Sequence, residues 1–308
     1  MEFEKSTDNL THASPPIVFG EVLFDCFPDG REVLGGAPFN IAWNLQAFGL
    51  SPLFISRVGD DNLGCRIQKK MLSWGMDTRG LQLDQRHPTG KVQIELTEGE
   101  PRFTILPDQA YDYISTFSGD LQNGPSFLYH GSLALRNDTS RDTLSLLKQK
   151  YKCPIFVDVN LRTPWWNAEL VGSLIEDATW LKLNDVELDA LFPEPGNLEE
   201  RCCQILERFE LEAVFVTLGE KGAVALNRNK HLLSIKPSKN ILIIDTVGAG
   251  DAFSSVLLLG LMNKWNFSTT MKRAQEFASA VVGQRGAITL EKDFYQTFSN
   301  MWNLHDTF

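Results

Sequence analysis

Positive charge is scarce in this chain: 29 lysines and arginines stand against 39 aspartates and glutamates, a net charge of −10. An acidic surface attracts neither a phosphate backbone nor an anionic membrane, which argues against nucleic acid or lipid as the main partner. Any anionic ligand must then be held by local devices. The five cysteines, Cys26, Cys65, Cys153, Cys202 and Cys203, are odd in number and show no C-x-x-C spacing, so neither a disulfide framework nor a zinc site is indicated. Reduced thiols set the expectation of a cytoplasmic protein. No apolar run approaches the roughly 20 residues of a membrane span. The N-terminal MEFEKSTDNLTHASPP is polar rather than signal-like, and residues 1–16 are expected to form a loose leader. Missing as well are the G-x-x-x-x-G-K-[ST] phosphate loop, the G-x-G-x-x-G dinucleotide turn, H-E-x-x-H and the G-x-S-x-G nucleophile elbow.

What is present centres on Ile241 to Gly260, ILIIDTVGAGDAFSSVLLLG. Four apolar residues lead into Asp245-Thr246, the small residues Gly248-Ala249-Gly250 follow, and Asp251 opens an apolar run. The pattern predicts a buried strand, a tight turn and a core helix. The first N–H groups of a helix lack internal partners and carry the positive end of its dipole, so this turn is suited to an anion. Small residues let a phosphate approach the backbone, and the Asp251 carboxylate stands where a base can meet a hydroxyl. Read without context, Asp251 is more simply a helix N-cap.

Earlier in the chain, Ile17 to Phe24 reads as a first strand delivering Asp25 at its C-terminal end, where open α/β sheets collect ligands. Gly35 to Gly49, GGAPFNIAWNLQAFG, pairs a glycine turn with a helical apolar pattern, and Asn40 falls in its first turn. Gly59-Asp60-Asp61 reads as a helix start after a strand. Residues 87–107 alternate apolar and polar around Glu98-Gly99-Glu100-Pro101; Val92, Ile94, Leu96, Phe103 and Ile105 would form one face of a hairpin. From residue 126 strands and helices alternate, which argues a mainly parallel sheet with helices on both faces. In Asn184-Asp185-Val186-Glu187 the amide and carboxylate are three residues apart, a spacing that serves helix capping or a hydrated Mg²⁺. Thr217-Leu218-Gly219, continuing to Gly222, is a glycine turn after a strand. Asp158-Val159-Asn160-Leu161-Arg162 follows another strand, and Arg162 by itself reads as a surface ion pair.

Five of these segments, in this order, resemble the signatures of the ribokinase-like (PfkB) carbohydrate kinases: G-G-A-x-x-N near residue 35, G-D-D-x-x-G, N-x-x-E, T-x-G-x-x-G and D-T-x-G-A-G-D-x-F. The wording Ala37-Pro38-Phe39-Asn40 is most similar to the fructokinases, as is D-x-N-x-R. The resemblance covers residue 17 to about residue 290. It implies a three-layer α/β fold with a central mainly parallel sheet in a single domain over 17–308. A discontinuous β lid, about 31–36 and 87–107, is implied as well. ATP and Mg²⁺ are the implied cofactors, and Asp245-Thr246 matches part of a loop that binds K⁺ in some relatives. Asp251 would be the base, with Gly248, Ala249 and Gly250 stabilising charge. Asp25, Gly35, Gly36, Asn40 and Arg162 would hold the sugar. Asn184, Thr217, Gly219 and Gly222 would meet the nucleotide, and Glu187 would hold Mg²⁺ through water.

The expected activity is therefore ATP-dependent phosphorylation of a small sugar, D-fructose first, with 2-keto-3-deoxygluconate, ribose or a nucleoside as alternatives. A sugar- or nucleotide-binding regulator without turnover is the alternative of another class. A homodimer through the lid is compatible with the resemblance.

Overall fold

The computed structural model describes residues 14–97, 100–119, 121, 123–237 and 242–304. In chain order the elements begin with β1 (Ile17–Phe19), β2 (Leu23–Cys26), β3 (Glu32–Gly35), α1 (Ala37–Ala47), β4 (Leu53–Gly59), α2 (Asn62–Ser73) and β5 (Leu81–Asp84). A hairpin follows, β6 (Gly90–Thr97) and β7 (Glu100–Ile105), then β8 (Leu128–His130), α3 (Asp138–Lys150), β9 (Ile155–Asp158) and α4 (Ala168–Ile175). The second half carries β10 (Trp180–Asn184), α5 (Asp185–Leu191), α6 (Leu198–Arg208), β11 (Ala213–Thr217), β12 (Ala223–Asn227) and β13 (Leu232–Ile235). It ends with α7 (Ala249–Met262), α8 (Phe267–Val282) and α9 (Lys292–Trp302).

Nine strands form one sheet in the order β13-β12-β11-β10-β9-β8-β1-β4-β5. All pairs from β11 to β5 are parallel, and only β11–β12 and β12–β13 are antiparallel. Alternation along the strands sorts side chains to two faces. Val18, Phe54, Tyr129, Phe156, Trp180 and Phe215 face a core shared with α1, α2, α7, α8 and α9. Ile17, Ile55, Leu128, Val157, Leu181 and Val214 face a second core built with α3 to α6. Helix α7 lies deep in the first core, buried along its whole length from Ala252 to Met262. Gly260 makes that seat possible, since a methyl there would lie 2.5 Å from Thr270 Cγ2 of α8. Among the described residues no helix is long and apolar enough to cross a membrane.

Three expectations change. The run Ile17 to Phe24 is two strands, not one: the chain turns at Gly20, where φ is 149° and a Cβ would meet Pro38 Cγ at 2.4 Å. Strand β2 then leaves the main sheet and joins a second one, ordered β3-β2-β6-β7, so Asp25 stands on that smaller sheet and not at the end of a central strand. Second, Leu242-Ile243-Ile244 is no buried strand; the three side chains are exposed, and the backbone is tied instead to the end of α8 by Ile244 and Asp245 N–H groups donating to the Val282 carbonyl. Ile241 lies outside the described residues. Third, the chain joins the fold before residue 17, with Ser14 and Pro16 buried and the Pro16 carbonyl accepting from Leu53. Residues 1–13 of the expected leader lie outside the described residues.

The hairpin itself forms as expected, β6 pairing antiparallel with β7, although Glu98 and Gly99 of its turn lie outside the described residues. Val92 and Ile94 are buried, yet Phe103, the register partner of Ile94, is 57 % exposed. Strand β7 is the edge of the small sheet.

Candidate active site

The N-terminus of α7 and the first turn of α1 meet through Asp251 and Asn40. Gly248 caps α7 in the left-handed region at φ 80°, and a Cβ on it would fall 2.4 Å from Ala287, so the turn demands glycine twice over. Three residues on, Asp251 Oδ2 accepts from Asn40 Nδ2 at 2.7 Å. One turn further along both helices, Asn44 Nδ2 donates to Ser255 Oγ at 3.2 Å. That hydroxyl donates to the Asp251 carbonyl, and Tyr295 closes the chain by donating to Asn44 Oδ1. Spacing of four residues on each helix puts both pairs on one seam, which fixes the Asp251 carboxylate in place. Burial raises the Asp251 pKa above the ordinary aspartate value, as does nearby Asp158; the Asn40 bond and the charges of Lys182 and Arg162 oppose the rise. Asn40 Oδ1 is buried and has no partner among the described residues.

Around this pair stand the remaining sugar-side candidates. Gly36, the residue before α1, has φ 107°, and a Cβ would lie 2.7 Å from the Glu21 carbonyl, so only glycine lets the two segments approach. A Cβ on Gly35 would sit 3.8 Å from Asp25 Oδ2, although register pairs Gly35 with Leu23 and Asp25 with Val33, so the two are diagonal neighbours across β2 and β3. Burial lifts the Asp25 carboxyl to about 6 against the Arg162 charge. Arg162 is exposed, donates to the Leu161 carbonyl at 3.4 Å, and favours ionisation of Asp25, Glu21 and Asp251 alike. The structure thus joins Asp251 to Asn40 directly and places Arg162 within electrostatic reach of Asp25 and Asp251.

The nucleotide-side candidates lie along the ends of β9, β10 and β11. Register pairs Asp158 with Lys182 and Asn184 with Thr217. Asn184 caps α5: its Oδ1 accepts from the Glu187 N–H at 2.8 Å, while Glu187 Oε2 accepts from the Asn184 N–H at 2.8 Å and Oε1 from the Leu161 N–H at 2.8 Å. Both Glu187 oxygens are therefore engaged with backbone, and the residue is buried. Each retains a second lone pair, through which it can accept from a water of a hydrated cation. Among the described residues no group of three or more His, Cys, Asp or Glu could hold a metal ion. Thr217 ends β11, and the turn through Gly219 and Gly222 follows, with a Cβ on Gly222 barred by the Ile235 carbonyl at 2.0 Å. Asp245 Oδ1 accepts from Val247 and Oδ2 from Gly286, closing the loop ahead of α7 onto the segment after α8.

Two charged residues in the site escaped the sequence reading. Glu21 is 3 % exposed, its Oε2 has no hydrogen-bond partner among the described residues, and burial pushes its carboxyl to about 7. Lys182 is 6 % exposed and donates to both Asp158 oxygens, at 3.0 and 3.2 Å, while Ser254 Oγ donates to Asp158 at 2.7 Å. Burial works against the ammonium, but Asp158, then Glu187, outweigh it and hold the Lys182 pKa above its ordinary value. The available signal was a lone lysine inside the apolar run Trp180 to Leu183, for a charge is rarely fully buried without a partner.

Residues 26–293 match the pfkB family of carbohydrate kinases. The chain is 29 % identical over 295 residues to a fructokinase of Escherichia coli, an alignment covering 88 % of this chain and 94 % of the relative. A fructokinase of Vibrio cholerae, solved with fructose, ADP and calcium, superposes with a TM-score of 0.74 at 26 % identity, covering 93 % of this chain and 99 % of that one. A sugar kinase of Pyrococcus horikoshii solved with ATP gives 0.76 at 25 % identity, covering 95 % and 100 %.

Proposed function

The chain belongs to the pfkB family of carbohydrate kinases and is an ATP-dependent sugar kinase, and from that premise we propose that its substrate is D-fructose and that Asp251 is its base. One observation carries the reading: a carboxylate of raised pKa, hydrogen-bonded to Asn40 and seated at the N-terminus of the buried helix α7. The fructokinases among the similar proteins support fructose.

In this reading the sugar hydroxyl attacks the γ-phosphorus, the bond to the β-phosphate oxygen breaks, ADP leaves, and the hydroxyl proton passes to Asp251. The N–H groups of Gly248 to Asp251 stabilise the charge on the phosphoryl oxygens as it moves. Asn40 holds Asp251 and offers its Oδ1 to a sugar hydroxyl; Asp25, beside Gly35 and Gly36, accepts from others, and Arg162 faces the same space. Asn184, Thr217, Gly219 and Gly222 line the nucleotide side. Mg²⁺, held through water by Glu187, would neutralise phosphate charge, and the Asp245-Thr246 loop would serve a monovalent cation. The sheet of β2, β3, β6 and β7 carries Asp25 and acts as a lid, excluding water from the phosphoryl group.

An ADP-release assay over fructose, ribose, 2-keto-3-deoxygluconate and adenosine tests this. Fructose is expected to give the highest kcat/KM. A higher value for another acceptor overturns the substrate, and no turnover with any returns the chain to a binding role. A finer test follows from Asp25. An ionised carboxylate accepts from hydroxyls through both oxygens, whereas protonation turns one of them into a donor, so KM for the sugar should rise as pH falls through about 6. Asp25→Asn should give a high KM that is flat over the same range. A wild-type KM indifferent to pH between 5 and 7 would take Asp25 off the sugar.

A further inference from the structure

Lys182 and Asp158 form a buried ion pair whose orientation is one-sided. Were Gly250 to carry a Cβ, the Lys182 Nζ would lie 3.3 Å from it, and among the described residues no other atom outside the helix and the chain neighbours comes within 4 Å. The positive end of the pair therefore lies against the α7 turn. The negative end is closed off by two bonds from the ammonium and one from Ser254. Stability alone gives no reason for such a pair: two buried charges lose their hydration, and well-packed apolar residues often serve as well or better. The ammonium has three N–H donors and reaches both Asp158 oxygens.

We propose that Lys182 is a positioning residue for the phosphoryl group: Asp158 and Ser254 fix its ammonium beneath the α7 N-terminus, where the positive end of the pair adds to the partial charge of the turn and favours a γ-phosphate over the shorter diphosphate. The proposal rests on the reading of this turn as the phosphoryl site. It differs from a mere staple between β9, β10 and α7, which would care that the charges balance but not that a cation is present.

The decisive comparison is between K182R, which keeps the cation, and the double variant K182M/D158N, which removes both charges and so leaves no unpaired carboxylate in the core. Calorimetry on the full chain would measure ATP and ADP affinity in parallel with kcat and KM for the sugar. In the double variant ATP affinity should fall about tenfold while ADP affinity changes little, and kcat should fall with the sugar KM nearly unchanged. K182R should retain the ATP preference. Equal affinities for each nucleotide in wild type and double variant, or a loss shared equally by ATP and ADP, overturns the proposal. Because nucleotide binding is read without any acceptor, a failure of the sugar assignment leaves this test intact.

Discussion

Asp251→Asn is expected to lower kcat by ~10²–10⁴, the range of a positioned general base, while the dissociation constants for sugar and ATP stay near those of the wild type. The substitution is close to isosteric. An amide still bonds to Asn40, which can present either its Nδ2 or its Oδ1, so the seam of Asn40, Asn44, Ser255 and Tyr295 remains closed. What disappears is the acceptor for the hydroxyl proton. Loss at kcat with binding retained is the mark of an interaction made only in the transition state. A second reading comes from pH. The carboxylate pKa is raised by burial and by Asp158, so wild-type kcat should decline as acid protonates Asp251, and the asparagine variant should lack that limb. Steady-state rates across pH, with sugar binding by calorimetry, measure both. A variant that turns over at near the wild-type rate removes Asp251 from the proton transfer.

Short-range patterns were legible in the sequence where one element carried them whole. Gly248 to Asp251 reads as a turn opening a helix because the glycines, the carboxylate and the apolar run are consecutive, and α7 starts at Ala249. The same holds for Gly36 before α1 and for the reciprocal cap of Asn184 and Glu187. The reading failed where tertiary contacts decide. Ile17 to Phe24 is apolar throughout, and only the seat of Pro38 against Gly20 shows why the strand breaks and sends Asp25 to another sheet. Leu242 to Ile244 has the composition of a core strand, yet its backbone partner is the end of α8 and its side chains are exposed. Lys182 and Asp158 are 24 residues apart, and their pairing exists only through the β9–β10 register, which no local pattern encodes.

Glu21→Gln is expected to flatten a fall in stability between pH 5 and 8. Burial raises the Glu21 carboxyl from 4.5 to about 7; its own N–H, Arg162 and the Ala134 N–H resist, and Asp251 adds to the rise. A carboxyl whose folded pKa lies above its unfolded value binds its proton more tightly in the folded state. Its contribution is therefore fully present below pH 4.5 and is lost as pH rises through about 7. From pH 5 to 8 the loss is on the order of 2–3 kcal/mol, by the rule of about 1.4 kcal/mol per pKa unit. His130 acts in the opposite sense: burial lowers its pKa to about 3, so its contribution falls away as pH drops below 6.5. The two slopes oppose each other between pH 4.5 and 6.5, and the wild-type curve alone does not separate them. The difference between wild type and Glu21→Gln does, because His130 is common to both. Urea unfolding at pH 5, 6, 7 and 8 should show the glutamine variant gaining on the wild type at each step up to about pH 7, with little further change above it. Parallel curves would mean that Glu21 ionises in the folded chain as readily as in the unfolded one, and that its Oε2 is open to water.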